Sequence, residues 1–173
     1  MSPAPACPSF ALIESQIDRV AARMRDAPVQ NIVLVRLVKT LSAQLGHHLG
    51  QKVRPHGINE VGFRTLTMLY AQLETGINPS DLSDASGETR TNMTRICDDL
   101  VRKGLVRRRA SKEDRRRIVL ELTKKGVALI EKLLPQVWTG VGHVTSALSA
   151  SDKNTLERLL KKLLVAFETE GKS

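Results

Sequence analysis

A chain of 173 residues is long enough for one domain built around a single sizeable core. The sequence has no apolar run near the ~18 residues that a membrane span needs. Its two cysteines, Cys7 and Cys97, are too few and too far apart for a disulfide framework or a metal site. The 27 Lys and Arg against 18 Asp and Glu give a formal net charge of +9. Such a charge favours a polyanionic partner, nucleic acid first and an acidic membrane surface second.

The N-terminal region carries the first helical patterns. Residues 1–9 contain three prolines, with no Lys or Arg ahead of an apolar stretch. We therefore expect a disordered lead-in rather than a secretory signal, in a cytoplasmic protein. Residues 10–58 are predicted to form helices. The first has one apolar face, made by Ile13, Ile17, Val20 and Met24. The second is predicted over residues 29–49, before a break at residues 55–57.

Local start and stop signals divide the middle of the chain. Asn59 can cap a third helix that runs to about Leu73. Asn78 followed by Pro79 starts a short helix, which must end at Ser86-Gly87. A further helix is predicted from near Thr89 to Lys103.

Two strands follow, over residues 105–109 and 117–123, with a polar loop between them. The second strand alternates, with Ile118, Leu120 and Leu122 on one face and Val119 and Glu121 on the other. Residues 59–125 are thus expected to form one lobe, in which two helices joined by a turn precede a β-hairpin. The expected fold class is mainly α with a small β-hairpin.

The C-terminal residues, 126–173, return to helical spacing. Pro135, Gly140 and Gly142 are predicted to bend or interrupt the segment that ends near Leu148. Ser149 or Ser151 is expected to cap a last helix with a wide apolar stripe. Because the apolar faces at both chain ends are broad, we expect residues 10–58 and 126–173 to form the interface of a homodimer. The alternative is that these helices pack on each other within one chain.

Positive charge is concentrated in residues 88–117, which hold eleven basic and five acidic side chains and so account for +6 of the net charge. In the helix from Thr89, residues Met93, Ile96, Cys97, Leu100 and Val101 recur at core spacing. The first two turns offer side chains that suit major-groove reading, because Arg pairs with guanine, Asn with adenine, and Thr with thymine or phosphate. The predicted DNA contacts of this helix are Thr89, Arg90, Thr91, Asn92, Thr94 and Arg95. The alternative is an ordinary solvated helix face.

The loop of the hairpin is also basic, and its polar side chains cannot contribute to a hydrophobic core. Its tip can enter a neighbouring minor groove, where arginine is attracted by the negative potential. The predicted contacts are Asp114, Arg115, Arg116 and Arg117, with Asp114 bracing an adjacent arginine. The alternative is a solvated turn whose charge prevents edge-to-edge aggregation.

These motifs resemble a known family. The segment Asp114–Gly126 resembles the D-x-R…L-x-L-T-x-x-G wing of the MarR family, and Leu82–Arg95 and Leu100–Leu105 resemble its helix-turn-helix. Three short segments resemble the sequences of the family branch that represses multidrug efflux pumps. They are Arg90-Thr91-Asn92, Thr94-Arg95-Ile96 and Gly57-Ile58-Asn59-Glu60.

The resemblance implies a homodimeric winged helix-turn-helix that represses transcription at a pseudo-palindromic operator on double-stranded DNA. It implies that Arg116 enters the minor groove, paired with Asp114. It also implies that a small aromatic or phenolic acid, such as salicylate, binds between the dimerisation helices and the DNA-binding lobe and releases DNA. No cofactor is implied.

Candidate residues for that effector lie on helices between the two regions: Arg36, His47, His48, Arg64, Met68 and Tyr70. Each has a simpler interpretation. The two histidines can be an exposed helix pair, Met68 can be core packing, and Tyr70 can hydrogen-bond across an interface.

Three rival functions are weighed against a specific regulator. Redox sensing would require a reactive Cys97, yet a thiol on the core face of a helix is usually inert. An enzyme would show a Gly-rich phosphate loop, a metal-ligand cluster or a nucleophile beside a base, and the sequence has none of these. A basic architectural or RNA-binding protein would lack sharp sequence preference.

Overall fold

The computed structural model describes residues 7–24, 26–110 and 117–170. Seven α-helices, one 3₁₀ turn and a two-stranded hairpin make up this part of the chain. They are α1 (Pro8–Ala21), α2 (Val29–Val53), the 3₁₀ turn (Arg54–His56), α3 (Glu60–Ala71), α4 (Pro79–Ser86), α5 (Arg90–Arg102), β1 (Val106–Ala110), β2 (Ile118–Leu122), α6 (Lys124–Thr145) and α7 (Ala150–Glu170). The mainly α fold class with a small hairpin is confirmed. Across these described ranges, every helix is too short or too polar to cross a bilayer.

Side-chain caps start the helices where the sequence predicted them. Asn59 accepts a hydrogen bond from the amide of Gly62 at 2.8 Å, and Asn78 accepts one from the amide of Ser80 at 2.9 Å. Gly87 ends α4 with a φ of +70°, a conformation that other residues rarely adopt. Of the two serines proposed to cap the last helix, Ser149 is the cap, since its hydroxyl accepts from the amide of Asp152.

Several predicted boundaries were wrong. Helix α1 begins at Pro8, inside the segment predicted as a disordered lead-in, because proline suits the first turn of a helix. Helix α2 continues four residues past Leu49, to Val53. The predicted interruption of the segment after Gly126 is absent, because α6 continues through Pro135 to Thr145. Buried Leu133 and Leu134 pack beside that proline, and this packing outweighs the local cost of a missing amide.

The core lies where α3, α4, α5, α6 and the hairpin meet. Its fully buried members include Leu66, Leu69, Leu82, Met93, Leu100, Leu120, Ile130 and Leu133. Strands β1 and β2 pair antiparallel, with Val106 opposite Leu122 and Ala110 opposite Ile118. A bridge that the sequence did not predict joins Ile77 to Leu120 through two hydrogen bonds of 3.0 and 2.8 Å. The hairpin is thereby fastened to the chain just before the helix-turn-helix.

Broad apolar faces remain uncovered on α1, α2, α6 and α7. Every residue of α7 is exposed. Its exposed apolar side chains are Leu156, Leu159, Leu160, Leu163, Leu164, Val165 and Phe167. On α2 the exposed ones are Leu34, Val35, Val38, Leu41 and Leu45.

Candidate nucleic-acid interface

Helix α5 has one face in the core and the opposite face in solvent. Met93, Ile96, Cys97 and Leu100 are buried, whereas Thr91, Thr94 and Arg95 are exposed. These outward residues line a shallow groove together with Asp98, Asp99 and Arg102. The buried face prevents the helix from rotating, so its outward side chains have fixed positions along the surface.

The start of α5 is capped by Thr89, whose hydroxyl oxygen accepts from the amide of Asn92 at 3.2 Å. Arg90 follows and is exposed. Thr94 donates its hydroxyl proton to the carbonyl of Arg90 at 2.9 Å. It can therefore offer a partner only its methyl group and an oxygen lone pair. Of the six predicted contacts on this helix, only Asn92 is half-buried, and the other five are exposed.

Asn92 is held by a line of polar contacts. Its amide nitrogen donates to Glu88 Oε2 at 2.6 Å, and its amide oxygen accepts from Arg95 at 3.0 Å. The other carboxylate oxygen of Glu88 accepts from Arg64 on α3 at 3.1 Å. Arg64, which the sequence analysis placed among effector candidates, thus lies at the helix-turn-helix.

Much of the positive charge in this region is balanced inside the protein. Asp99 pairs with Arg102 and Lys103, and Asp98 pairs with Arg108. The hydrogen bond from Lys103, followed by the contribution of Arg102, holds the pKa of Asp99 below its ordinary value. Net charge therefore overstates the number of cations that α5 and β1 can offer to a phosphate backbone.

The same balance occurs on the hairpin. Glu121 is buried, although the alternation in β2 predicted that it faces away from the core-facing residues. Arg109 and Arg107 from β1 both bind its carboxylate, with Nε–O distances of 2.7 and 3.2 Å. The hydrogen bond from Arg109 is the main cause of a lowered pKa for Glu121, and burial opposes it.

The wing itself is described only at its ends. Arg117 is exposed immediately before β2. The predicted contacts Asp114, Arg115 and Arg116 lie outside the described residues.

The base of the hairpin is held against the start of α6. Thr123 donates from its amide to the carbonyl of Leu105 at 3.0 Å and from its hydroxyl to the carbonyl of Gly104 at 2.7 Å. Its hydroxyl oxygen also caps α6 by accepting from the amide of Gly126. The Thr-x-x-Gly part of the wing motif thus joins the strand, the cap and the helix.

Comparisons with known proteins decide the family. The model of the MarR family matches residues 58–118. The transcriptional repressor MprA of Escherichia coli strain K12 is 39% identical over 156 residues, which cover 90% of this chain and 89% of MprA. The chain belongs to the MarR family. The multiple antibiotic resistance protein MarR of the same strain is 30% identical over 134 residues, covering 77% of this chain and 92% of that protein.

Solved structures agree with this assignment. A mutant of Escherichia coli MarR complexed with operator DNA superposes with a TM-score of 0.70 at 29% identity, covering 78% of this chain and 96% of that one. Wild-type MarR in its apo form gives a TM-score of 0.62 at 30% identity, covering 76% and 96%. As a member of the MarR family, this protein is a DNA-binding transcriptional regulator and not an enzyme. Its likeness to MprA agrees with the resemblance to the efflux-pump branch.

The structure does not bring the six effector candidates of this MarR-family protein together. Tyr70 donates to Glu131 on α6 at 3.1 Å, which raises the pKa of Tyr70. Met68 packs against the core, and Arg36 is exposed on α2. His48 lies near Gly140 of α6.

His47 lies elsewhere and lines an open pocket of about 480 Å³ between α2 and the start of α3. That pocket also contains Arg54 and Glu60, which the sequence analysis did not select.

Cys97 lies in the core, and burial raises the pKa of its thiol to about 11. At neutral pH such a thiol is almost entirely protonated, which argues against oxidant sensing at this residue.

The sequence analysis did not select two acidic residues that hold side chains of this surface, Glu88 and Glu121. The partners of Glu121 lie 12–14 residues away and Arg64 lies 24 residues from Glu88, so no local pattern shows these contacts. Only the contact between Glu88 and Asn92 has a local spacing, of four residues.

Proposed function

We propose that this protein is a homodimeric repressor that binds a pseudo-palindromic operator. Helix α5 enters the major groove, and the tip of the β1–β2 hairpin enters the adjacent minor groove. The observation that carries the proposal is the position of α5, whose buried face holds it against the core while its polar first two turns face solvent beside the hairpin. This is the presentation that a recognition helix requires.

The side chains at the start of α5 supply the base contacts. Arg90 and Arg95 have no acidic partner among the described residues, so their guanidinium groups can bind guanine or phosphate. Asn92 pairs with adenine, and the methyl groups of Thr91 and Thr94 contact thymine. Arg116 supplies the minor-groove contact, as the resemblance of the wing motif implies.

The uncovered apolar faces of α1, α2 and α7 support the homodimer. Exposed apolar patches of this extent mark an interaction surface, and a second copy offers an equal face through a twofold axis. Residues 10–58 and 126–173 then form the interface, and residues 59–125 form the DNA-binding lobe. Two recognition helices related by that axis contact half-sites ~10 base pairs apart.

A selection experiment tests the proposal. Duplexes bound by the protein are enriched from a random-sequence library, and the enriched duplex is compared with a scrambled duplex at one fixed salt concentration. A specific regulator prefers the enriched duplex by ~10³ or more. Equal affinity for both would refute the proposal and favour an architectural nucleic-acid-binding protein.

A matched pair of variants tests the role of α5. Arg95→Ala should weaken binding to the enriched duplex and reduce the slope of log affinity against log salt by about one contact. Arg158→Ala removes the same charge from exposed α7 and should leave both quantities near the wild-type values. If Arg158→Ala lowers the affinity and the salt slope as much as Arg95→Ala does, the hypothesis that Arg95 contacts DNA is wrong.

We further propose that a small aromatic acid such as salicylate releases the repressor from an efflux or stress operon. The open pocket between α2 and α3 supports this, because Arg54 lines it and a guanidinium group binds carboxylates. This pocket also lies between the proposed dimerisation helices and the proposed DNA-binding lobe, so a ligand bound there would contact both.

The test adds sodium salicylate to the complex of protein and enriched duplex. Sodium chloride at equal ionic strength is the control, because salt alone weakens such complexes. Equal release by the two salts would refute the effector proposal and leave the repressor proposal intact.

A further inference from the structure

We propose that Glu88 is a specificity-determining residue that positions the side-chain amide of Asn92 for base reading. This inference rests on the proposed function, in which Asn92 reads a base from α5. Glu88 contacts the reading residue and would not itself pair with the base. It differs in this respect from the residues on the outward face of α5.

The backbone at Glu88 is held on both sides. Glu88 lies in the turn between α4 and α5, directly before the cap residue Thr89. Ser83 donates its hydroxyl proton to the carbonyl of Glu88 at 2.6 Å, and the amide of Glu88 donates to the hydroxyl of Ser86 at 3.3 Å. The carboxylate therefore extends from a backbone position that is fixed by α4.

The two oxygens of the carboxylate bind groups on two different helices. Oε1 accepts from Arg64 on α3, and Oε2 accepts from Asn92 on α5. The Nε atom of Arg64 is buried and has no hydrogen-bond partner among the described residues, and the guanidinium binds Glu88 through its terminal nitrogen instead. Glu88 thus connects the first two turns of α5 to α3, which is part of the core.

The chemistry of the partners determines which way the Asn92 amide faces. A carboxylate only accepts hydrogen bonds and a guanidinium only donates them, so the amide nitrogen must face Glu88 and the amide oxygen must face Arg95. Reversing the amide would place oxygen against carboxylate and nitrogen against guanidinium. One N–H and one oxygen lone pair of Asn92 remain unused, and this is the pair that adenine requires.

Glu88 is the constraint that persists in the bound state. Arg95 is exposed and, in the proposed complex, turns towards DNA. Only the contact with Glu88 would then prevent the amide of Asn92 from reversing.

The charge of Glu88 has the opposite effect on overall affinity. A carboxylate at the DNA-facing end of α5 repels phosphate and so lowers binding to any duplex. Removing it should therefore strengthen non-specific binding while weakening sequence preference. Replacing a residue that only stabilises the fold would not raise the affinity for non-specific DNA while lowering the preference for the specific sequence.

The experiment measures binding to three sets of probes: the duplex enriched by the wild-type protein, each of its single-base-pair substitutions, and a scrambled duplex. The variants are Glu88→Ala, Asn92→Ala and the double variant. Asp84→Ala is the control, because Asp84 is an exposed acid on neighbouring α4 and its side chain forms no hydrogen bond or ion pair among the described residues. We expect Glu88→Ala to lose about tenfold in preference, at the same base pairs that Asn92→Ala relaxes. The double variant should be no less selective than Asn92→Ala alone. Both Glu88→Ala and Asp84→Ala should bind the scrambled duplex more tightly.

Two results would overturn the inference. One is an equal loss of affinity for every duplex in Glu88→Ala, and the other is relaxation at base pairs that Asn92→Ala leaves unchanged. If Glu88→Ala does not fold, Glu88→Gln keeps the shape of the side chain but can donate as well as accept, so it should relax the same base pairs. A wild-type protein without any preference would instead refute the proposed function.

Discussion

Replacing Gly126 with alanine should destabilise the protein by disturbing the junction between the hairpin and α6. A Cβ atom at Gly126 would lie 2.1 Å from the carbonyl oxygen of Leu105. Because the obstacle is backbone, no side-chain rotation can relieve the clash. The start of α6 must move away from Leu105 by about 1.5 Å to reach an ordinary contact.

That movement lengthens the two hydrogen bonds from Thr123 to the carbonyls of Leu105 and Gly104. Each such bond contributes about 1 kcal/mol, and overpacking adds about 1–3 kcal/mol. The higher helix propensity of alanine offsets up to about 1 kcal/mol. We therefore expect the free energy of unfolding of Gly126→Ala to fall by about 2–4 kcal/mol.

Gly50→Ala is the matched control. Gly50 also lies within a helix, but a Cβ atom there would have no heavy atom within 4 Å beyond the backbone of its own helix. Alanine should stabilise this position by about 0.5–1 kcal/mol. Urea unfolding at one chain concentration measures both variants, because association makes apparent stability depend on concentration. A Gly126→Ala protein that unfolds at the wild-type urea midpoint would refute the reasoning.

Three further predictions concern Glu121, Cys97 and α7. Glu121→Gln should lower the free energy of unfolding at pH 7 by about 1–3 kcal/mol, because it removes charge-assisted hydrogen bonds to Arg109 and Arg107. Since the folded-state pKa of Glu121 is lowered, this stabilisation is present above its unfolded pKa and is lost as pH falls through the folded value. Urea titrations from pH 7 to pH 3 should show the difference between variant and wild type shrinking, and a constant difference would contradict the ion-pair account. Cys7 is exposed and should react with a thiol reagent at pH 7.5. Cys97 is buried and has a pKa of about 11, which leaves little thiolate, so it should react only when the protein unfolds. Rapid labelling of Cys97 with loss of DNA binding would restore the redox hypothesis. Leu160→Glu places a charge in the apolar stripe of α7 and should convert the proposed dimer to a monomer in sedimentation experiments. Asn154→Glu is the control, because it adds the same charge on the opposite face of α7, and it should leave the dimer intact. A Leu160→Glu protein that stays dimeric would exclude this part of α7 from the interface.

The sequence by itself determined the helices between residues 59 and 103 and most of their ends. Asn59, Asn78, Thr89 and Gly87 act through hydrogen bonds or backbone angles within a few residues, so the local pattern contains all the information needed. The core face of α5 followed from spacing in the same way. The wing motif and the helix-turn-helix were sufficient to indicate the family.

Tertiary structure alone decided which polar groups from distant parts of the chain meet. Arg64 and Glu88 are 24 residues apart, and only the packing of α3 against α5 brings them together. Glu121 alternates with core residues and is nevertheless buried, and two arginines from the partner strand pair with its carboxylate. Pro135 lies inside a continuous helix because neighbouring leucines are buried in the core. Contacts between distant segments depend on how the helices and strands pack against one another. A sequence pattern of a few neighbouring residues does not predict that packing.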